Sequence, residues 1–130
     1  MDRVDDLASA FRAAIERGDA DAATALFAPD CVFNSPIVHR PYVGPAPLRA
    51  VLGAVLQVFT DFRYTGAYSG ASGHVLEFAC RVGDRECQGV DILRGDGERL
   101  TELTVLVRPY SAATLLREQM AALLTCRRTR

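Results

Sequence analysis

The chain has no CxxC pair and no cluster of cysteine with histidine. Its four cysteines stand at positions 31, 80, 87 and 126, and its two histidines at 39 and 74. That spacing excludes a zinc site of ordinary pattern, so no metal and no cofactor is expected. No apolar run approaches the roughly 18 residues that a membrane span needs. Nor is either sign of charge in surplus: 15 lysines and arginines face 16 aspartates and glutamates, a net charge of −1. Nothing electrostatic therefore favours nucleic acid or an anionic membrane as a partner. The start lacks a basic region followed by an apolar core, which predicts no secretion signal, a cytoplasmic location and reduced thiols. The acidic start MDRVDD and the basic end CRRTR read as solvated termini.

What is present describes one folded domain over residues 1–130, with 49% hydrophobic and 24% charged residues. A chain of this length buries roughly 65–70% of its unfolded surface. Val4, Leu7, Ala8, Phe11, Ala14 and Ile15 recur at helical spacing and Gly18 stops them. Asp19 caps a second, shorter helix that the pattern carries through Leu26 and Phe27 to Pro29. CVFNSPIV (31–38) reads as a short strand bent by Pro36. Pro47 suits the first turn of a third helix, whose apolar stripe is Leu48, Val51, Leu52, Val55, Leu56 and Phe59.

After that helix the period changes from 3.6 to 2. FRYTGAY, HVLEFACRV, RECQGVDILR and ERLTELTVLV are four candidate strands separated by turn residues. Gly83-Asp84 fits a two-residue hairpin loop, and that loop fixes a register in which Val82 faces Arg85 and Cys80 faces Cys87. Followed outward, one face carries Leu76, Phe78, Cys80, Cys87, Gly89, Asp91 and Leu93. The other carries Gln88, Val90, Ile92 and Arg94, apolar enough to suggest a covered surface such as a homodimer interface. The amphipathic segment SAATLLREQMAALL follows as a short C-terminal helix. Helices first and an antiparallel sheet afterwards is an α+β arrangement.

Asp91 stands out on the inward face. A carboxylate among apolar residues is costly unless paired, hydrogen-bonded or protonated. Desolvation raises its pKa, so it suits a general acid or base. The structural alternative is a carboxylate that bonds to loop amides or an internal serine and fixes the fold. Phe11, Phe33, Phe59, Phe62, Tyr64 and Phe78 line a pocket for a ring-shaped ligand or form core; Leu103, Val105 and Val107 point inward on the last strand. Ser35 either contacts a ligand or satisfies the strand-end backbone. Tyr42 and Tyr110, near segment ends, reach a pocket mouth or face solvent. His39 in a proline-rich loop and His74 at a strand start read as surface histidines, and Cys80 and Cys87 as inert small hydrophobes.

The succession FRAAIERGDADAATALFAPDCVF, PYVGPAPLRAVL and GVDILRGDGERLTELTVLVRP resembles the nuclear transport factor 2-like superfamily, and within it the SnoaL-like group, over nearly the whole chain. The resemblance implies a cone in which a curved antiparallel sheet wraps three N-terminal helices around a small-molecule pocket, often in a dimer. It also implies a choice among chemistries that the fold hosts, which residues must decide. Ketosteroid isomerases use three positions; these fall on Phe11, which has no hydroxyl, on Ser35, which is no base at pH 7, and on Asp91. The Asp–Arg–Asp set of the epoxide hydrolases is missing, with Gly89 where the arginine is needed. Polyketide-cyclase chemistry needs one placed acid or base, which Asp91 supplies. The expected protein thus binds a small apolar molecule bearing a carbonyl or hydroxyl. It acts as a cofactor-free cyclase, isomerase or dehydratase through Asp91, or it is a non-catalytic binding or assembly module.

Overall fold

The structure, a computed structural model, describes residues 3–128, and the side chains of residues 4–124. The expectation of a solvated tail at CRRTR, and Cys126 with it, lies outside the described side chains. Ten elements follow one another: α1 (Arg3–Glu16), α2 (Ala20–Thr24), β1 (Phe27–Asn34), β2 (Tyr42–Val43), α3 (Pro45–Val58), β3 (Phe59–Gly70), β4 (Gly73–Val82), β5 (Arg85–Gly95), β6 (Leu100–Arg108) and α4 (Tyr110–Arg128). The six strands form one curved sheet in the order β2-β1-β6-β5-β4-β3. Helices cover its inner face, and the whole is the α+β cone that the sequence implies.

Local signals account for most boundaries. Gly18 takes φ +73° past the end of α1, the position where a glycine avoids the Cβ clash of left-handed backbone. The Asp19 side chain then caps α2 by accepting from the Ala22 amide at 3.0 Å. Gly83 at φ +58° makes the expected hairpin. The predicted register holds from Val82↔Arg85 through Cys80↔Cys87 to Leu76↔Asp91. Inward residues Leu76, Phe78, Cys80, Val82 and Leu93 are buried, which joins the period-2 pattern to a single core.

Several expectations are corrected. Phe59, read as the end of the third helix's stripe, opens β3, because α3 stops at Val58. The strand placed at 31–38 runs Phe27–Asn34, and α2 stops at Thr24 rather than reaching Phe27. Phe27 pairs with Leu100 of β6, and Pro29 falls in the irregular stretch between Phe27 and Val32. There its missing N–H breaks no ladder bond. The sheet is antiparallel except where β1 lies parallel to β6. This pairing arises because α3 carries the chain from one edge of the sheet to the other before β3–β6 fold back. The last helix spans 19 residues, so it is the longest, not a short appendix. Its Ala112 and Leu116 are buried against the core.

The last correction concerns Asp5 and His74, read as parts of a solvated start and a surface strand end. His74 Nδ1 lies 2.7 Å from Asp5 Oδ1, and the two side chains are only 12% and 25% exposed. Ser69 Oγ also donates to the Asp5 carboxylate at 2.8 Å. Ser69 and His74 flank the β3–β4 turn, so one carboxylate fastens the start of α1 to that hairpin. Among the described residues, no helix is long and apolar enough to cross a membrane.

Candidate functional site

A cavity of about 620 Å³ opens between the inner face of the sheet and helices α1, α3 and α4. Nine residues that the sequence marked as site candidates have a place on its wall. Phe11 comes from α1, Phe33 from β1 and Ser35 from the turn after it. Phe59, Tyr64 and Phe78 come from β3 and β4, Asp91 from β5, and Leu103 and Val105 from β6. The structure therefore brings all nine together.

Asp91 is the one buried charged or polar side chain among the described residues, 8% exposed. It faces inward because β5 alternates, with Leu93 buried on the same side and Val90 and Ile92 half-buried on the other. Tyr64 donates its phenolic O–H to Asp91 Oδ2 at 2.9 Å. Oδ2 is so engaged, while Oδ1 has no hydrogen bond among the described residues. Burial pushes the Asp91 carboxyl up to about 7, and the Tyr64 hydrogen bond only partly offsets that rise. Tyr64 is pushed upward too, first by burial and then by the neighbouring carboxylate, so the phenol keeps its proton. Near neutral pH the pair thus offers a carboxyl poised between two charge states beside a permanent donor.

The aromatic wall depends on a distortion of β3. In a regular strand Phe59 and Phe62 would face opposite sides, since their spacing is odd. The register shifts between Thr60 and Arg63, and Asp61 takes φ +53° within that shift. The extra residue turns both rings inward, stacked with centroids 6.0 Å apart, and Phe62 meets Phe78 at 5.1 Å. A second shift, between Tyr64 and Gly66, follows directly. Gly89 leaves room for the Phe78 ring opposite it: a Cβ there would overlap Phe78 Cζ and come within 2.5 Å of the Leu106 carbonyl oxygen.

Several wall residues were not singled out from sequence. Val51, Leu52, Val55 and Leu56 belong to the recognised stripe of α3, and their period was the available signal. Leu116, Met120, Ala121 and Leu124 of α4 close another side; the amphipathic pattern marks that stripe without saying what it covers. Tyr42 lines the wall and stacks on Phe33 with centroids 5.9 Å apart, whereas Tyr110 is exposed. Ser35 Oγ accepts from the Ile37 and Val38 amides at 2.9 and 3.1 Å, so it holds the turn while facing the cavity. His39 is exposed and does not line the cavity. Cys80 and Cys87 are buried and not joined by a disulfide, and the contact with Cys87 together with burial keeps the Cys80 thiol protonated. Among the described residues, no group of three or more His, Cys, Asp and Glu side chains could hold a metal ion.

A cone with a carboxyl at the bottom of an apolar hollow defines a class of protein, and comparison with known proteins agrees. The SnoaL-like domain matches residues 8–103, and the chain belongs to that family, within the nuclear transport factor 2-like superfamily. A crystal structure of a steroid delta-isomerase from Pseudomonas aeruginosa is 35% identical, with 98% of this chain and 96% of that one covered and a TM-score of 0.92. An uncharacterized protein with a cystatin-like fold from Silicibacter pomeroyi DSS-3 is 33% identical over 89% of this chain and 83% of that one, with a TM-score of 0.84. A hypothetical protein from Catenulispora acidiphila with a ketosteroid isomerase-like fold, in complex with trimethylamine, shares the fold at 17% identity, covering 82% of this chain and 87% of that one, with a TM-score of 0.64. No curated protein matches the sequence.

Proposed function

We propose that this SnoaL-like protein binds a small, largely apolar molecule bearing a carbonyl or hydroxyl, and that Asp91 moves a proton on it. The observation that carries the reading is the Tyr64–Asp91 pair inside the 620 Å³ apolar cavity. As the carboxylate, Asp91 takes a proton from a carbon made acidic by an adjacent carbonyl. As the acid, it returns that proton to a second atom of the same molecule. The reaction classes are those of an isomerase, cyclase or dehydratase that needs no cofactor. Apolar walls supply the binding, and the excluded water strengthens the one polar contact.

Likeness to a steroid delta-isomerase supports the reaction class. Phe11 and Ser35, where the resemblance implies a tyrosine and an aspartate in ketosteroid isomerases, argue against the same division of labour. Here one carboxyl would act as both base and acid. The alternative reading, a non-catalytic binding or assembly module, is favoured by the Tyr64 bond itself, since a capped carboxyl can be purely structural. A second copy packed on the outer sheet face, where Leu106 is 53% exposed and Val90 and Ile92 are half-buried, and a cytoplasmic location complete the proposal.

The test begins with the molecule retained by protein purified without added ligand, identified by mass spectrometry. That molecule, incubated with the protein in deuterated water, should gain deuterium at a carbon next to its carbonyl. Asp91→Asn should retain binding and lose the exchange by at least about a hundredfold. Exchange that survives Asp91→Asn would remove Asp91 from the chemistry. A variant that binds nothing and melts early would favour the structural alternative.

A further inference from the structure

Besides Asp91, three charged side chains line the cavity: Glu16, Arg63 and Arg117. Their pairing differs. Glu16 Oε2 accepts from Arg12 Nε at 3.3 Å. Arg63 Nη1 donates to the Asp61 carbonyl at 2.9 Å and lies 3.6 Å from its carboxylate. Arg117 has no hydrogen bond or ion pair among the described residues. It projects from α4 within the stripe that walls the cavity, and it is exposed while Asp91 is buried. One charged group of the wall therefore meets water at a wet rim, and the other is held on a dry floor.

From this arrangement we infer that the ligand is an amphiphile whose single anionic group, of the carboxylate type, meets Arg117 at the rim. Its apolar body fills the hollow, and its carbonyl or hydroxyl reaches Asp91 and Tyr64. The inference rests on the cavity being the binding site and adds the charge and direction of what it binds. A guanidinium presents paired donors that match a carboxylate in two parallel hydrogen bonds. A cationic ligand finds no equivalent, because Glu16 is already neutralised by Arg12 and two guanidiniums would face it. An anion directed to the floor would meet a carboxyl in a dry environment, where like charges repel most strongly. Only the orientation with the anion outward leaves every charge with a partner or with water.

Two fluorescent probes with one apolar body test this: N-phenyl-1-naphthylamine, which is neutral, and its 8-sulfonate. At low ionic strength the sulfonate should bind the native protein about fivefold more tightly than the amine, the size expected of an exposed ion pair. Arg117→Gln should erase that preference and leave the affinity for the amine unchanged. Added salt should erode it as well. Val55→Trp, which sets a large ring in the hollow, should weaken both signals and so locate them. Equal affinities in the native protein, a preference that Arg117→Gln leaves intact, or a sulfonate signal that Val55→Trp leaves untouched while the amine's falls would each overturn the inference. An amine that binds without any preference for the sulfonate sinks the charged rim alone. If neither probe binds, the cavity as a binding site fails too.

Discussion

Two aspartates are held by side chains of the same two-stranded region, and their carboxyls are driven in opposite directions. Asp5 touches Ser69 and His74 at the mouth of the β3–β4 hairpin, and both partners hold its carboxyl below the usual value. Among the described residues Asp91 accepts from Tyr64 alone, and burial carries its carboxyl up to about 7. The hydrogen bonds to the two are of similar length. What separates them is water: the outer carboxylate keeps part of its hydration, and the inner one has exchanged it for aromatic rings and a single phenol. A hydrogen bond therefore does not by itself tell whether a buried acid is kept as an anion. The balance of donors against desolvation does.

The largest test of that balance is the pH dependence of stability. Between about pH 3.8 and about 7 the folded chain keeps the Asp91 proton, while the unfolded chain has released it. Stability contributed by this residue must then fall as pH rises through the window. Above pH 7 the full cost is present, at most about 4 kcal/mol for a shift of this size. Asp91→Asn carries no titrating group. Its denaturation midpoint should stay flat where the native one declines, and the variant should be the more stable form at pH 8. A native midpoint that rises between pH 4 and 7 would mean that the inner carboxyl is not desolvated.

Next in size is the single donor. Tyr64→Phe removes the O–H from Asp91 Oδ2 and leaves a buried acceptor unmet, at a cost of about 1–3 kcal/mol. The loss should be greater at pH 8 than at pH 5, because the phenol bonds the anion more strongly than the acid. The carboxyl carbon of Asp91, followed by NMR, should titrate above its native value of about 7. Gly89→Ala should cost a comparable 1–3 kcal/mol by melting temperature, independent of pH, since its methyl would press on the Leu106 backbone and the Phe78 ring. A pH-dependent loss at Gly89 would tie it to the carboxyl rather than to packing.

The inner site was more legible in the sequence than the outer latch, for a physical reason. A hairpin loop of two residues sets its register rigidly, and Gly83-Asp84 placed Asp91 on the inner face with Phe78 by counting alone. All nine predicted wall residues follow from period and resemblance. Counting failed where the period breaks. The shifts in β3 that turn Phe59 and Phe62 to one side, and that aim Tyr64 at Asp91, leave no trace in a run such as FTDFRYTG. The latch joins residues 69 apart in sequence, and long-range polar contacts have no periodicity to betray them. The rim arginine was hidden for a similar reason. Its helix showed an apolar face, but the cavity under that face exists only once the sheet has curved.

The smallest expected effect sharpens the comparison from outside. Asp5 has a lowered pKa, so the stability it contributes is present above the ordinary carboxylate range and is lost as pH falls through its depressed folded value. Its slope is opposite in sign to that of Asp91 and lies at more acid pH. Asp5→Asn should remove the acid-side slope, lower the melting temperature at neutral pH by less than Tyr64→Phe does, and quicken amide exchange in the first turns of α1, near Leu7 and Ala8. Affinity for the neutral naphthylamine probe should not move, because the latch ties a helix end to a hairpin and lines no part of the cavity. Were probe affinity to drop in Asp5→Asn, the two carboxyls would form one coupled network. The contrast between them would then reflect the shape of the whole hairpin rather than local hydration.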